Sequence, residues 1–272
     1  MGNLRKIVVY LEKGGVGKTM TSLMLASGLA KEGKHVTLID LDPQDQCRRR
    51  LGLLDKPDPK YALADILKNG WPEGMKDIEK IKSLVMPTGR KHLYLIPSGR
   101  VLSKRQMDLT HMDEWKIVLR NALGFLEESG MDYVILDTNP AWTPLSAAAL
   151  YWGDEMIMPV GTSGDDMISF AHFSGMLEEV QEEREESNLG DLKVVYVLPT
   201  RFSKVSKEAR LMVKKIQEFM PNQACEPIRE LVSLKECGRA KKTIWEHAPD
   251  SKGAEDYQKF VQKVMSNESD AA

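Results

Sequence analysis

Residues 13–19 read Lys-Gly-Gly-Val-Gly-Lys-Thr and follow the apolar run Ile7-Val8-Val9-Tyr10-Leu11. A strand that ends in a glycine-rich turn and opens into a helix is the setting of a phosphate-binding loop. Gly14, Gly15 and Gly17 allow positive φ and close approach, so successive backbone N–H groups can wrap a β-phosphate. A helix starting near Lys18 adds unpaired amides and a positive dipole end at the same place. Lys18 supplies a point charge to the β- and γ-phosphates, and the Thr19 hydroxyl is the usual Mg²⁺ ligand at this position of such a loop. Val16 and Met20 complete the expected nucleotide-binding run. Lys13 lies on the strand side, where its four-carbon stem can reach across a subunit boundary. A plain glycine turn with flanking lysines is the competing reading. The complete string and the helix-forming stretch 20–32 that follows it argue against that alternative.

The rest of the chain supports a large α/β domain. Its 272 residues and 42% hydrophobic content allow a substantial core. A net charge of −2 and a pI near 6.3 exclude a global polycation, so nucleic-acid binding requires a local basic patch. Cys47, Cys225 and Cys237 lack metal-ligand spacing, as do His35, His92, His111, His172 and His247. With no signal core and no apolar stretch near the ~20 residues that span a bilayer, a soluble cytoplasmic protein is expected.

Short β-branched runs alternate with helical stretches, the signature of a mostly parallel twisted sheet with helices on both faces. Strands are expected near 5–11, 35–40, 92–96, 132–137, 155–160 and 193–198. Helices are expected near 18–32, 61–69, 100–110, 114–129, 165–187, 204–219 and 254–266. Residues 54–90 carry Pro57, Pro59, Pro72 and Pro87 and read as a short-helix excursion. A single domain over 1–272 is the economical organisation.

Two strand ends supply carboxylates. Val36–Asp40 leads into Leu41-Asp42-Pro43-Gln44. Ligands in such sheets sit beyond the carboxyl ends of strands, which places Asp40 and Asp42 near the loop. Asp42 is a candidate to orient the attacking water and Asp40 to hold the Mg²⁺ shell. Asp and Pro also suit an ordinary turn, so this segment alone fits both readings. Tyr133–Leu136 ends in Asp137, a candidate organiser of Mg²⁺. All three elements occur in the chain order of a P-loop NTPase.

Taken together, Lys13–Thr19, Asp40–Gln44 and Asp137-Thr138-Asn139-Pro140 resemble a ParA-type partition ATPase of the deviant Walker A group. The resemblance extends to Pro199–Phe202 and Asp250–Tyr257, and so covers nearly the whole chain. It implies an ATP- and Mg²⁺-dependent homodimer that coats DNA without sequence preference, and is therefore nucleoid-associated in the ATP state. A cargo-bound ParB-like partner would stimulate hydrolysis, segregating a plasmid or chromosome. In this analogy Lys13 reaches the partner subunit's nucleotide, Lys18 and Thr19 hold phosphate and Mg²⁺, Asp42 serves the water, and Asp137 supports the metal. Pro199 and Thr200 are expected near adenine. The chain departs from the family pattern at Met20, at Asn139, and at Ser233, which stands where relatives often carry a DNA-contacting arginine.

A DNA surface is expected instead on a helix capped by Ser203, with Val205, Ala209, Met212, Val213 and Ile216 facing the core. Lys204, Lys207, Arg210 and Lys214 would line its other side, and Arg239, Lys241 and Lys242 form a second cluster. Solvated basic faces are the alternative. Within the same fold, a membrane-binding MinD-like ATPase or a protein-organelle positioning ATPase is the main rival. The acidic polar stretch at 264–272 does not suit a membrane helix, so no membrane partner is expected. The first strand begins almost at once, so no N-terminal DNA-reading extension is expected either.

Overall fold

In the computed structural model, which describes residues 4–99, 101–109, 112 and 114–266, the chain alternates strands and helices. It runs β1 (Arg5–Val9), α1 (Lys18–Lys31), β2 (Val36–Asp40), α2 (Gln46–Arg50), α3 (Leu63–Asn69), α4 (Asp77–Leu84), β3 (Met86–Pro87) and β4 (Leu93–Ile96). Then follow α5 (Leu102–Leu109), α6 (Val118–Leu123), β5 (Tyr133–Asp137), α7 (Pro144–Trp152), β6 (Glu155–Gly161) and α8 (Gly164–Glu186). The last elements are β7 (Lys193–Thr200), α9 (Lys207–Phe219), α10 (Val232–Arg239), α11 (Ile244–His247) and α12 (Lys252–Ser266).

The seven strands form one sheet in the order β3-β4-β2-β5-β1-β6-β7. All neighbours pair in parallel except the short β3, which runs antiparallel to β4 at the edge. Every residue of β2 and β5 is buried, as expected of strands covered by helices on both faces. Alternate side chains feed two cores. Ile7, Val9, Leu38 and Ile135 pack with α1 and α12, whereas Val8, Ile39, Val134 and Leu136 pack with α6, α7 and α8.

Register fixes the site. Val9 pairs with Asp137, and Asp40 pairs with the same Asp137 from the other side. The loop after β1 and both carboxylates therefore emerge at one end of three adjacent strands.

All six expected strands form. Two helical expectations need correction. The 114–129 stretch is not one helix: 3₁₀ turns at Trp115–Ile117 and Gly124–Glu128 flank the short α6. The 204–219 helix starts later, because Ser206 rather than Ser203 caps it, accepting the Ala209 N–H at 3.1 Å. Val205 therefore precedes the helix and is 89% exposed rather than part of the core. The ends of the 100–110 helix, and His111, lie outside the described residues. The excursion at 54–90 contains α3, α4 and the edge strand β3.

Candidate nucleotide site

The loop between β1 and α1 uses glycine where the backbone demands it. Gly15 and Gly17 take φ of 79° and 91°, in the left-handed region. Gly14 needs no positive φ, which corrects the expectation for all three glycines. Gly17 caps α1 with no side-chain acceptor, so amides in the first turn of α1 remain directed at the loop. No acidic residue occupies that turn. The local field therefore favours an anion.

Lys18 is buried, and its Nζ donates to the carbonyls of Leu11 at 2.8 Å and Lys13 at 2.6 Å. Burial lowers its pKa to about 8, against the opposing pull of Asp137 and Asp42. A lysine so poorly solvated gains strongly when an anion enters the loop. Lys13 is half-buried, and among the described residues no hydrogen bond or ion pair engages its ammonium.

Asp137 lies beneath the loop and is wholly buried. Its carboxylate accepts Ser22 Oγ at 2.9 Å from α1 and Cys47 Sγ at 3.4 Å from α2. The nearby Thr19 side chain also favours its charged form. Burial raises its pKa to about 6, while those hydrogen bonds oppose the shift. Asp40 is also wholly buried, and burial followed by repulsion from Asp137 raises its pKa well above the carboxylate range. Its two oxygens accept the backbone N–H groups of Asp42 at 3.0 Å and Cys47 at 2.9 Å. The sequence-predicted Asp40 thus grips the loop that carries Asp42. Asp42 itself is half-buried, and its Oδ1 accepts the Gln44 N–H at 3.0 Å.

The fold brings Asp40 and Asp137 together, with Thr19 near Asp137, and adds Cys47. One ligand atom each from Asp40, Cys47 and Asp137 lies within 4.8 Å of the others. The oxygens of Thr19 and Asp137 form a hard donor set of the kind Mg²⁺ accepts. Cysteine spacing gave no signal for Cys47, because strand register rather than local sequence brings it here.

Beside the loop is a cavity of about 240 Å³ bordered by Gly15, Gly17, Met20, Thr200, Arg201, Leu234 and Tyr257, with the segment Ile228–Leu231. Thr200 Oγ1 donates to Val16 O at 2.7 Å and so locks the end of β7 to the loop. Thr200 and Met20, both candidates from the sequence, line this cavity. Pro199 does not line it, and its carbonyl instead accepts the Ile228 N–H at 2.8 Å. The wall from 228 to 257 was not predicted.

Lys207, Arg210 and Lys214 lie exposed along α9, opposite the buried Ala209, Met212, Val213 and Ile216. Lys204 lies outside that helix, and its carbonyl accepts from the Arg210 guanidinium. Lys214 pairs with Glu218 at 3.3 Å. Arg239, Lys241 and Lys242 are exposed around the end of α10. Among the described residues, no helix is long and apolar enough to cross a membrane.

A family model described as an AAA domain matches residues 4–190. The chromosome-partitioning ATPase Soj of Thermus thermophilus is 29% identical over 98% of this chain and 98% of its own length. The chromosome partitioning protein ParA of Myxococcus xanthus is 28% identical over 96% of this chain and 88% of its own. Among solved structures, Cyanothece McdA in complex with ATP superposes with a TM-score of 0.80 at 24% identity. That match covers 98% of each chain.

Proposed function

Because the chain belongs to the AAA-domain family, with ParA and Soj partition proteins as full-length relatives, we propose that it is an ATP-driven DNA partition protein. The observation that carries this reading is the convergence of the 13–19 loop, Asp137 and the Asp40–Asp42 loop at the ends of three adjacent strands.

ATP is the substrate, its phosphates in the loop and its base in the cavity beside Thr200. Lys18 leaves its two carbonyl partners to meet the phosphate charge, and the α1 amides accept the rest. Thr19 and Asp137 would hold Mg²⁺, which when bound supplies charge neutralisation at the phosphate oxygens. Asp42 orients the attacking water and accepts its proton. Lys13 reaches the nucleotide of a second copy, so hydrolysis is tied to an ATP-bound homodimer. That dimer binds DNA without sequence preference through Lys204, Lys207, Arg210 and Lys214, with Arg239, Lys241 and Lys242 as a second contact. A cargo-bound ParB-like protein then stimulates hydrolysis and releases the ATPase from DNA.

The test is binding to random-sequence DNA with ATP, ADP and no nucleotide, titrated with salt and paralleled by phosphate release. Salt-sensitive binding confined to the ATP state is the expected result. Hydrolysis without DNA binding in any state would remove DNA as the matrix and favour a protein surface in its place.

A further inference from the structure

The Asp40–Asp42 loop and Asp137 are the two parts of the site that must act together, one serving water and the other the metal. They lie on adjacent strands, and their backbones are joined by the ladder and by the Leu41 N–H, which donates to Asp137 O at 2.8 Å. Among the described residues, one side chain next to the Asp40–Asp42 loop reaches the Asp137 carboxylate. Cys47 donates its backbone N–H to Asp40 Oδ2 at 2.9 Å and its thiol to Asp137 Oδ2 at 3.4 Å. Its other neighbours hold it in place. The side chain is wholly buried, and Leu51 and Leu53 pack in the same core. Arg48 anchors the outer side of α2, bonding Leu53 O at 3.2 Å and pairing with Asp58.

We propose that Cys47 is a positioning residue whose thiol ties the Asp40–Asp42 loop to the metal-side carboxylate of Asp137. This rests on the nucleotide-site reading above. Among the described residues, the other side chain hydrogen-bonded to the Asp137 carboxylate is Ser22 on α1. It belongs to the phosphate-loop side and not to the segment that carries Asp42. Among the described residues, the Cys47 thiol is the side-chain link between that segment and Asp137. A thiol is a weak donor, yet here it meets the oxygen of a wholly buried carboxylate. An alanine at 47 leaves that oxygen without its partner and frees the carboxylate to turn. A serine keeps a donor at nearly the same place.

The experiment titrates a fluorescent, slowly hydrolysed ATP analogue against wild type, Cys47→Ala and Cys47→Ser, with and without Mg²⁺. The proposal predicts that Cys47→Ala binds the Mg²⁺-free analogue as wild type does, which also reports an intact fold. Its apparent Mg²⁺ affinity falls by about tenfold, the usual scale for losing an outer hydrogen bond to a metal ligand. Cys47→Ser restores it. Wild-type Mg²⁺ dependence in Cys47→Ala overturns the proposal, as does a serine variant as impaired as the alanine one, since packing and not the hydrogen bond would then matter. If the wild-type protein fails to bind the analogue with or without Mg²⁺, the nucleotide-site reading itself falls and takes this role with it.

Discussion

Replacing Lys18 by methionine should make the nucleotide-free protein more stable while destroying its ability to bind ATP. Held from 10.5 down to about 8 by burial, the lysine lowers folded-state stability at pH 7 by about 3 kcal/mol. Methionine fills a similar volume without a charge to desolvate. Its cost is the loss of two hydrogen bonds, but Leu11 O keeps the Lys13 N–H at 2.7 Å. The orphaned Lys13 carbonyl costs about 1 kcal/mol. The net gain is about 1–2 kcal/mol, or roughly 2–8 °C in Tm for a chain of this size. The sign of the pH dependence follows from linkage. Below pH 8 both folded and unfolded lysine carry the proton, and the folded state bears the burial cost in full. As pH rises from about 8 towards 10.5 the folded lysine deprotonates first, so wild-type stability recovers and the advantage of methionine fades. Thermal unfolding of both proteins without nucleotide, at pH 7 and pH 10, measures this directly. A methionine variant less stable than wild type at pH 7, or an advantage unchanged at pH 10, would refute the reasoning.

Asp42→Ala should still bind ATP but lose about 10²–10⁴-fold in kcat, the range for a missing general base; near-normal turnover in single-turnover assays would remove Asp42 from the water's side. Lys13→Ala should bind nucleotide as a monomer and fail to form the ATP dimer in analytical ultracentrifugation, and normal ATP dimers would end the cross-subunit role. Gly28→Ala tests the seating of α1, because a Cβ there would lie 2.5 Å from Val261 Cγ2 and 2.7 Å from Trp245 Cη2. Overpacking of about 1–3 kcal/mol outweighs the gain of up to ~1 kcal/mol from helix propensity, so urea unfolding should show a net loss. Lys207→Glu with Arg210→Glu should weaken ATP-state DNA binding and flatten its log–log salt dependence by about one for each phosphate partner removed. An unchanged slope would clear α9 of any role in holding DNA.

Much of the scaffold was legible because its signals are local. The apolar runs ending at Asp40 and Asp137 are buried strands, and most breaks between runs mark crossovers, the 88–92 hairpin between β3 and β4 being the exception. The helix at Pro144–Trp152 escaped the sequence reading although Thr143 and Pro144 form a clear start signal, with Thr143 accepting the Ser146 N–H. Its alanine-rich body has no polar face to give it a period, since the helix is buried nearly all round. The α9 start went wrong because Ser203 and Ser206 both fit a cap, and only the packing of Ala209, Met212 and Ile216 chooses between them. The wall from Ile228 to Tyr257 and the position of Cys47 had no local signature. Each depends on which strands lie side by side, and register is a property of the assembled sheet.

The central claim is that residues 13–19 with Asp42 and Asp137 form a Mg²⁺-dependent ATP-hydrolysing site. Phosphate release from ATP by the purified protein, followed with Mg²⁺ and with a chelator in its place, tests it most directly. The account predicts turnover with Mg²⁺ that vanishes on chelation and in Lys18→Met. ATP bound tightly with Mg²⁺ yet released unhydrolysed, with DNA and the cargo-side partner present, would contradict it.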